Sequence, residues 1–290
     1  MTQEQSSPKE KEDAFNRFIV GEYLKYSSVD ELFRRNDYNL PISYAGVQRL
    51  LDKWGIVKAA GPNTLLTEAL IFLEELSLEQ IPLEKLYRKM PPSFRASMGT
   101  MHRILSYIRS ETIRRVGTAL IMTPQENHNL ILVGNDVSPI VRTEVGKPYG
   151  AVTFPMGYSK RIERPETSIL RVLQQEVFTL PTIAKKGVAE RVIPENPKPF
   201  MYLDIADVRV SVYHLSLPKE LSETRSFTSF KIENHRFQDL SELLTGRKGF
   251  RTGIVEIAQG YSKFLKAEES LPIYSTAQVN RRLALLPLEL

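Results

Sequence analysis

The sequence contains no cysteine, and its 290 residues include a single tryptophan. The lack of cysteine excludes disulfide bonds and cysteine-ligated zinc sites, and it fits a reducing compartment. No run of apolar residues approaches the roughly 18–20 that a membrane span requires. The phosphate-loop patterns GxxxxGK[ST] and GxGxxG are absent, and the histidines show neither HxH nor HExxH spacing. We therefore expect each of the four histidines to be structural or to lie at the surface: His102, His128, His214 and His235.

The composition is that of a globular soluble protein. Apolar residues make up 42% and charged residues 25% of the chain, and its length predicts about two domains. The formal net charge of +5 permits a polyanionic partner without requiring one. The first residues are polar and lack a hydrophobic signal segment, so a cytoplasmic location is expected.

A repeat with an offset of 54 residues organises the first third of the chain: Val29–Leu51 aligns without gaps onto Leu83–Leu105. The identical pairs are Leu32/Leu86, Arg34/Arg88, Ser43/Ser97, Arg49/Arg103 and Leu51/Leu105. Each copy predicts two helices, because Asn, Asp and Pro residues interrupt its middle. Ser43 and Ser97 are predicted to cap the second helix of each copy. A further helix over Thr64–Leu76 is predicted to provide a core that links the copies.

Each copy is similar to the helix-turn-helix motif of DNA-binding proteins, whose second helix presents its N-terminal residues to base edges in the major groove. This resemblance implies double-stranded DNA as the partner. The residues that it places at the DNA are Ser43, Tyr44, Gln48 and Arg49 in the first copy, and Ser97, Thr100, His102 and Arg103 in the second. Another nucleic acid, or a structural or protein-binding role, are the alternatives, because helical hairpins also serve protein contacts.

Positive charge is concentrated in and after the second copy. Between Lys85 and Arg115 stand eight basic residues and one acidic residue, Glu111. A surface that faces phosphates needs such a concentration. The charge pattern therefore favours nucleic-acid binding.

The stretch Ala151–Pro181 predicts a strand, a Pro-Met-Gly turn, a basic loop and an amphipathic helix. Pro165 fits the first turn of that helix, and Leu180–Pro181 is expected to end it. The stretch resembles the signature of Nudix hydrolases, which is Gly, five residues, Glu, seven residues, then Arg-Glu-aliphatic-x-Glu-Glu-x-Gly. In register with it stand Gly157, Glu163, Arg171, Leu173 and Glu176. Val172, Gln175 and Phe178 depart from it.

Those departures bear on metal chemistry. The family's helix glutamates supply ligands to Mg²⁺, which prefers carboxylate oxygens. Valine cannot ligate and glutamine is a weaker ligand, so Glu176 alone remains as a catalytic and metal-binding candidate. Mg²⁺ is expected only if this domain is active. The resemblance implies an ion pair between Glu163 and Arg171.

A nucleotide-type ligand is the other partner that the resemblance implies. The candidate ligand-binding residues are Gly157, Lys160, Arg161, Glu163 and Arg171. One alternative is a working Mg²⁺-dependent hydrolase of nucleoside-diphosphate-linked compounds that recruits further carboxylates, with Asp204, Asp207 and Glu223 as candidates. Another is a scaffold that neither cleaves nor binds nucleic acid.

The predicted architecture is an α+β protein in two parts, an all-α tandem helix-turn-helix region followed by a Nudix-like α/β/α sandwich. Its boundaries are a disordered tail over residues 1–12, the helical domain over 13–115, the sandwich over 116–266 and a C-terminal tail over 267–290. The runs Thr118–Met122 and Leu130–Val133 are predicted to pair as a hairpin at the start of the sandwich. The functional prediction is a DNA-binding transcriptional regulator whose catalytically degenerate domain senses a ligand or mediates contacts.

Overall fold

The computed structural model describes residues 7–60, 65–77, 81–91, 96–138, 149–223, 226–246, 249–267 and 271–288. The helices are α1 (Pro8–Tyr26), α2 (Val29–Arg35), α3 (Tyr44–Lys53), α4 (Leu65–Leu76), α5 (Leu83–Arg88), α6 (Met98–Arg109), α7 (Pro165–Glu176), α8 (Thr179–Ile183), α9 (Val188–Arg191), α10 (Leu240–Leu243), α11 (Ile254–Lys266) and α12 (Gln278–Ala284). The strands are β1 (Arg115–Pro124), β2 (Leu130–Asp136), β3 (Val152–Thr153), β4 (Met156–Ser159), β5 (Met201–Ile205), β6 (Val208–Leu217), β7 (Ile232–Asp239) and β8 (Ile273–Thr276). Within these described ranges, no helix has the length and apolar character to cross a membrane.

Helix α1 begins inside the segment that was predicted to be a disordered tail. The Ser7 side chain accepts a hydrogen bond from the backbone N–H of Glu10, and Glu10 in turn accepts one from the N–H of Ser7. This capping box, with Pro8 in the first turn, starts the helix there. Lys and Glu are good helix formers, so the polarity of this segment reflects an exposed helix. The tail prediction is therefore wrong for residues 8–12, and residues 1–6 lie outside the described residues.

Both copies of the repeat form a pair of helices. Helices α2 and α5 begin 54 residues apart, as do helices α3 and α6, which is the offset of the repeat. Ser43 Oγ accepts from Gly46 N, and Ser97 Oγ accepts from Thr100 N, each at 3.1 Å. The two predicted serine caps are confirmed.

The two copies belong to different hydrophobic cores. Helices α1, α2 and α3 share one cluster, which includes Leu32, Val47 and Leu51. Helices α4, α5 and α6 instead join the core of the sheet. Among the α4 side chains that the structure describes, the buried ones belong to the core of the sheet: Ala69, Leu70 and Leu73. The prediction that α4 links the two copies is therefore wrong for its described side chains, and the single helical domain over 13–115 stays a prediction.

The strands form two sheets. One has the order β4-β1-β6-β5-β8 and the other β3-β2-β7. Strand β1 is parallel to β6 over its whole length and antiparallel to β4, while β2 pairs with β3 and β7. The predicted hairpin between Thr118–Met122 and Leu130–Val133 is therefore wrong: both runs are strands, but they lie in different sheets. The continuous apolar run of β1 suits a central strand, which already has a neighbour on each side.

Helices cover both faces of the larger sheet. Ala119 and Ile121 of β1 share a core with α11, whereas Leu120 and Met122 share a core with α7. Alternate residues of a strand point to opposite faces, so β1 is buried on both sides. The residues between α6 and the end of α11 thus form helix, sheet and helix layers.

The C-terminal segment is part of this fold rather than a tail. Strand β8 extends the larger sheet by pairing in parallel with β5, and α12 packs against α4 and α6. Leu283 and Leu286 are buried, and Asn280 Nδ2 donates to the Ala206 carbonyl oxygen. The prediction of a tail over 267–290 is wrong for the described residues of that range, because its apolar side chains complete a core that starts with α4.

Candidate functional site

The stretch that carries the Nudix-like pattern folds as strands, loop and helix. Strand β4 leads into a loop over residues 160–164, which we call the box loop, and then into α7. Pro165 takes the first position of α7, as predicted. The helix ends at Glu176 rather than at Leu180, and Pro181 lies in the separate helix α8.

A buried ion pair holds the box loop on α7. The Arg171 guanidinium donates to both carboxylate oxygens of Glu163, with Nη1 at 2.8 Å from Oε2, and both side chains are almost fully buried. Glu163 also accepts from the backbone N–H of Lys160 at 3.2 Å, and Arg171 donates to the Tyr158 carbonyl oxygen. The predicted ion pair is confirmed, and its contacts are those of a loop anchor.

The same arginine reaches the first repeat copy. Arg171 Nε donates to the carbonyl oxygen of Lys58, which belongs to the segment over residues 55–59 that follows α3. Gln174 binds that segment at two further points, donating to Gly55 O at 2.8 Å and accepting from Val57 N at 2.9 Å. One face of α7 therefore holds the segment 55–59, which we call the strap.

Gln175 also contacts the first copy. Its Oε1 accepts from Ser27 Oγ at 2.8 Å, at the end of α1, and from Lys231 Nζ at 2.7 Å. Lys231 donates to Ser27 as well. Nearby, Lys185 Nζ lies 3.9 Å from the ring centre of Trp54. Gln175, which stands at a glutamate position of the Nudix-like pattern, is therefore bound by the first copy and by Lys231.

Glu176 occupies the end of α7, against β4. Its Oε2 accepts from the backbone N–H of Met156 at 2.6 Å, and its backbone carbonyl accepts from His235 Nε2 at 2.9 Å. Burial raises the pKa of the Glu176 carboxyl to about 7, although Lys231 and the Met156 N–H favour the ionised form. Burial lowers the pKa of His235, although its hydrogen bond to the Glu176 carbonyl oxygen favours the protonated ring.

The residues present do not fit Mg²⁺. Val172 is packed in the core, and Gln175 Oε1 is already bonded to a hydroxyl and an ammonium. The Gln175 Nε2 is buried without a hydrogen-bond partner among the described residues, and an N–H group repels a cation. The ammonium of Lys231 adds positive charge beside Glu176. A divalent cation would meet one carboxylate and a resident positive charge, where it needs several hard oxygen ligands.

The further carboxylates proposed from the sequence lie elsewhere. Asp207 is fully buried in the turn between β5 and β6, where it pairs with Arg114 and Arg115 at 2.9 and 2.6 Å. Asp204 pairs with Arg209 at 2.8 Å. Glu223 follows β6 and the turn after it. Among the residues that the structure describes, no group of three His, Asp or Glu side chains could hold a metal ion.

The predicted DNA-facing residues of the first copy lie at the open start of α3. Val47, Leu50 and Leu51 are buried against α1 and α2, whereas Tyr44 is 48% exposed and Arg49 is exposed. Ser43 is exposed as well, and Gln48 is partly exposed. The residues predicted to read DNA in this copy thus share the face of α3 that points to solvent.

The second copy is partly covered. Ser97 and Arg103 are exposed and Thr100 is partly exposed, but His102 Nε2 lies 2.9 Å from the Leu288 carbonyl oxygen. Arg109, further along α6, donates to the carbonyl oxygens of Ala284 and Leu286. The C-terminal segment thus runs along one side of α6.

Several members of the basic cluster are used for folding. Arg114 and Arg115 pair with the buried Asp207, and Arg109 holds the C-terminal segment. Lys85, Arg88, Lys89 and Arg103 remain exposed, and Arg95 lies outside the described residues. The concentration of charge in the sequence therefore overstates the positive surface of the second copy.

A groove of about 310 Å³ lies between the start of α8 and the segment that leads into β7. It is lined in part by Leu180, Phe227, Phe230 and His235. It includes none of the residues predicted to bind a nucleotide-type ligand. Gly157, Lys160 and Arg161 lie instead on β4 and the box loop.

Sequence reasoning missed Ser27, the strap and Lys231, which surround α7. They come from three distant segments, and no spacing in the sequence connects them to the box. The one available signal was the pair Gln174-Gln175, two neutral polar side chains that follow the apolar Val172-Leu173 in the predicted helix.

Solved structures similar to this chain include several Nudix proteins. A mutT/nudix family protein from Listeria innocua matches with 15% identity and a TM-score of 0.39, over 54% of this chain and 97% of that one. A MutT protein from Methanosarcina mazei Go1 matches with 11% identity and a TM-score of 0.36, over 54% and 96%. An ADP-ribose pyrophosphatase from Streptococcus suis 89-1591 matches with 12% identity and a TM-score of 0.34, over 56% and 97%. No protein-family model matches the chain. No curated protein matches it either. At these scores the likeness assigns neither activity nor substrate.

Proposed function

We propose that this protein is a DNA-binding regulator in which a Nudix-like domain without a working metal site holds the first helix-turn-helix unit in a fixed position. The observation that carries the proposal is that α7, the helix of the Nudix-like pattern, binds the first unit through three side chains. Gln175, which replaces a glutamate of the pattern, bonds to Ser27, while Gln174 and Arg171, which do not depart from the pattern, bind the strap. A helix face engaged in this way serves docking rather than metal binding.

The docked unit leaves its proposed DNA-reading surface open to solvent. Helix α3 buries one side against α1 and α2 and exposes the other, with Tyr44 at its first position and Arg49 on the solvent side. Arg49 has no carboxylate partner among the described residues, in contrast to Arg34 and Arg35, which pair with Glu31. An unpaired arginine is available to guanine or phosphate.

The test is selection of duplex DNA from a random-sequence library by the full chain, followed by a salt titration of binding to the selected duplex. We expect an enriched sequence and an affinity that falls steeply with salt, because each phosphate contact releases counterions. Arg49→Ala should weaken binding by roughly ten-fold or more. Lys198→Ala, which removes an exposed charge from a loop before β5, is the matched control. Absence of any enriched sequence would refute the proposal.

The hydrolase alternative has one observation in its favour. Glu176 lies at the end of α7 with a pKa raised to about 7, which is the range of a general base at neutral pH. A panel of nucleoside-diphosphate-linked compounds with and without Mg²⁺ tests it. Turnover that requires Mg²⁺ and disappears in Glu176→Gln would establish hydrolysis, and its absence in the wild-type chain would remove this alternative.

A further inference from the structure

The box loop carries an arrangement of side chains that its structural role does not require. Lys160 and Arg161 are exposed, Arg164 is 82% exposed, and Ile162 at the tip is 97% exposed. Neither Lys160 nor Arg161 has a side-chain partner among the described residues, and Arg164 meets only Glu166 at 3.4 Å. An isoleucine that stands almost wholly in water among three cations gains nothing from the fold itself.

The loop is nevertheless held firmly. Glu163, in its middle, is bound by the Arg171 guanidinium and by the Lys160 backbone N–H, and both members of the ion pair are buried. Its charged and apolar side chains are therefore presented on a fixed backbone. A surface that is ordered before binding loses less conformational entropy on binding.

The anchor of the loop is also the anchor of the first helix-turn-helix unit. Arg171 binds Glu163 with one edge of its guanidinium and the Lys58 carbonyl oxygen with Nε, at 2.8 Å. The next strap residue, Ala59, donates to the hydroxyl of Tyr23 on α1 at 2.8 Å, and Tyr23 belongs to the core that α1 shares with α3. The box loop and the first unit are thus attached to the same cluster of contacts.

We propose that the box loop is a second DNA-contact element, in which Lys160, Arg161 and Arg164 bind backbone phosphates beside the site of α3 and Ile162 enters the minor groove. Arginine and lysine suit phosphates, and an exposed aliphatic side chain is used by proteins that insert into the minor groove. The inference rests on the proposed function, because a loop coupled to the first unit would meet the same duplex.

The experiment measures the salt dependence of binding of the full chain to the selected duplex by fluorescence anisotropy. The double variant Lys160→Gln/Arg161→Gln should flatten the slope of log K against log salt by about two, one per lost phosphate contact. The control variant Lys198→Gln/Lys219→Gln removes the same charge from exposed positions outside the loop and should leave the slope unchanged. Ile162→Ser should weaken binding by roughly ten-fold at an unchanged slope.

The outcomes separate this inference from the proposed function. If the wild-type chain selects no DNA, the proposed function itself fails. If the wild-type chain binds and Arg49→Ala weakens it, but the loop variants behave like the control, the loop is not a DNA contact. Binding to vesicles that contain phosphatidylserine, lost in the loop double variant while the DNA slope stays the same, would assign the loop to lipid and overturn the inference.

Discussion

Among single residues, Glu176 couples the stability of the fold to pH. Its carboxyl has an ordinary pKa of 4.5, and burial raises this value to about 7 in the folded state. The folded protein therefore holds a proton that the unfolded chain has released at pH 5 to 7. Because the folded state binds more protons in that interval, the free energy of unfolding decreases as pH rises through it.

We predict that Glu176→Gln removes this dependence. Glutamine keeps an oxygen that can accept from Met156 N but cannot ionise. Relative to the variant, the wild-type protein should lose up to about 3 kcal/mol of unfolding free energy between pH 4.5 and pH 8. Urea unfolding of both proteins at these two pH values measures the difference.

The quantity to compare is the difference in unfolding free energy between the wild-type protein and the variant at each pH. The buried histidines make the free energy of unfolding rise with pH in both proteins, which is opposite to the effect of Glu176. Burial lowers the pKa of His214 to about 4 and lowers that of His235. Their stabilising contribution is present above pH 6.5 and is lost as pH falls. Wild-type and Glu176→Gln curves that run parallel from pH 4.5 to pH 8 would contradict the raised pKa.

For single residues, the sequence predicted a contact where both partners belong to one motif. It could not predict a contact between residues from distant segments. The Glu163–Arg171 ion pair was predictable because both residues stand in register with the Nudix pattern, and the resemblance implies that they pair. The bond from Lys231 to Gln175 was not, because it joins residues 56 positions apart through the packing of β7 against α7. Such a pair has no local signature in a sequence.

Among the structural elements, α7 connects the helical and the sheet-containing parts of the chain. Gln174 binds the strap at both Gly55 and Val57, and the tryptophan beside the strap, Trp54, is 8% exposed. Since the chain contains one tryptophan, its fluorescence reports on this region alone.

We predict that Gln174→Ala loosens the first repeat copy from α7. The loss of two hydrogen bonds should cost about 1–3 kcal/mol. The urea midpoint seen by Trp54 fluorescence should fall below the midpoint seen by far-UV circular dichroism, because the first unit has its own core. Gln125→Ala, at an exposed turn position, should leave the two midpoints unchanged. Coincident midpoints in Gln174→Ala would argue against docking through this side chain.

Helix α12 allows a matched test of the C-terminal segment. Leu283 is fully buried against the core that includes α4 and α6, whereas Leu285 is 74% exposed. Leu283→Ala should lower the free energy of unfolding by about 2–5 kcal/mol, and Leu285→Ala should change it by less than about 0.5 kcal/mol. Equal effects in denaturant titrations would mean that the segment is not packed as described.

The sequence did not reveal this packing because Pro272 and Pro287 interrupt the segment, and proline is a strong signal for turns and loops. Here the two prolines flank β8 and α12, and β8 pairs with β5, some 70 residues earlier. Edge pairing of this kind depends on the whole sheet, which local patterns do not contain.

At the scale of the whole molecule, the repeat is preserved in local structure but not in surroundings. The first copy has its own core and is held on α7, while the second is built into the core of the sheet and carries the C-terminal segment along α6. Duplicated sequence therefore does not imply two equivalent binding surfaces. The repeat itself, with its two serine caps, was predictable from 54-residue self-similarity.

This asymmetry predicts unequal contributions of the two copies to DNA binding. In the first copy, Arg49 lies on the solvent-exposed face of α3. In the second copy the equivalent residue is Arg103, and its neighbour His102 contacts the carbonyl oxygen of Leu288 in the C-terminal segment. Arg49→Ala should weaken binding to the selected duplex by ten-fold or more, and Arg103→Ala by less than about three-fold. Fluorescence anisotropy at one fixed salt concentration measures both, with Lys198→Ala as the charge control. Losses of equal size would show that both second helices contact the duplex, and that the C-terminal segment leaves α6 free to do so.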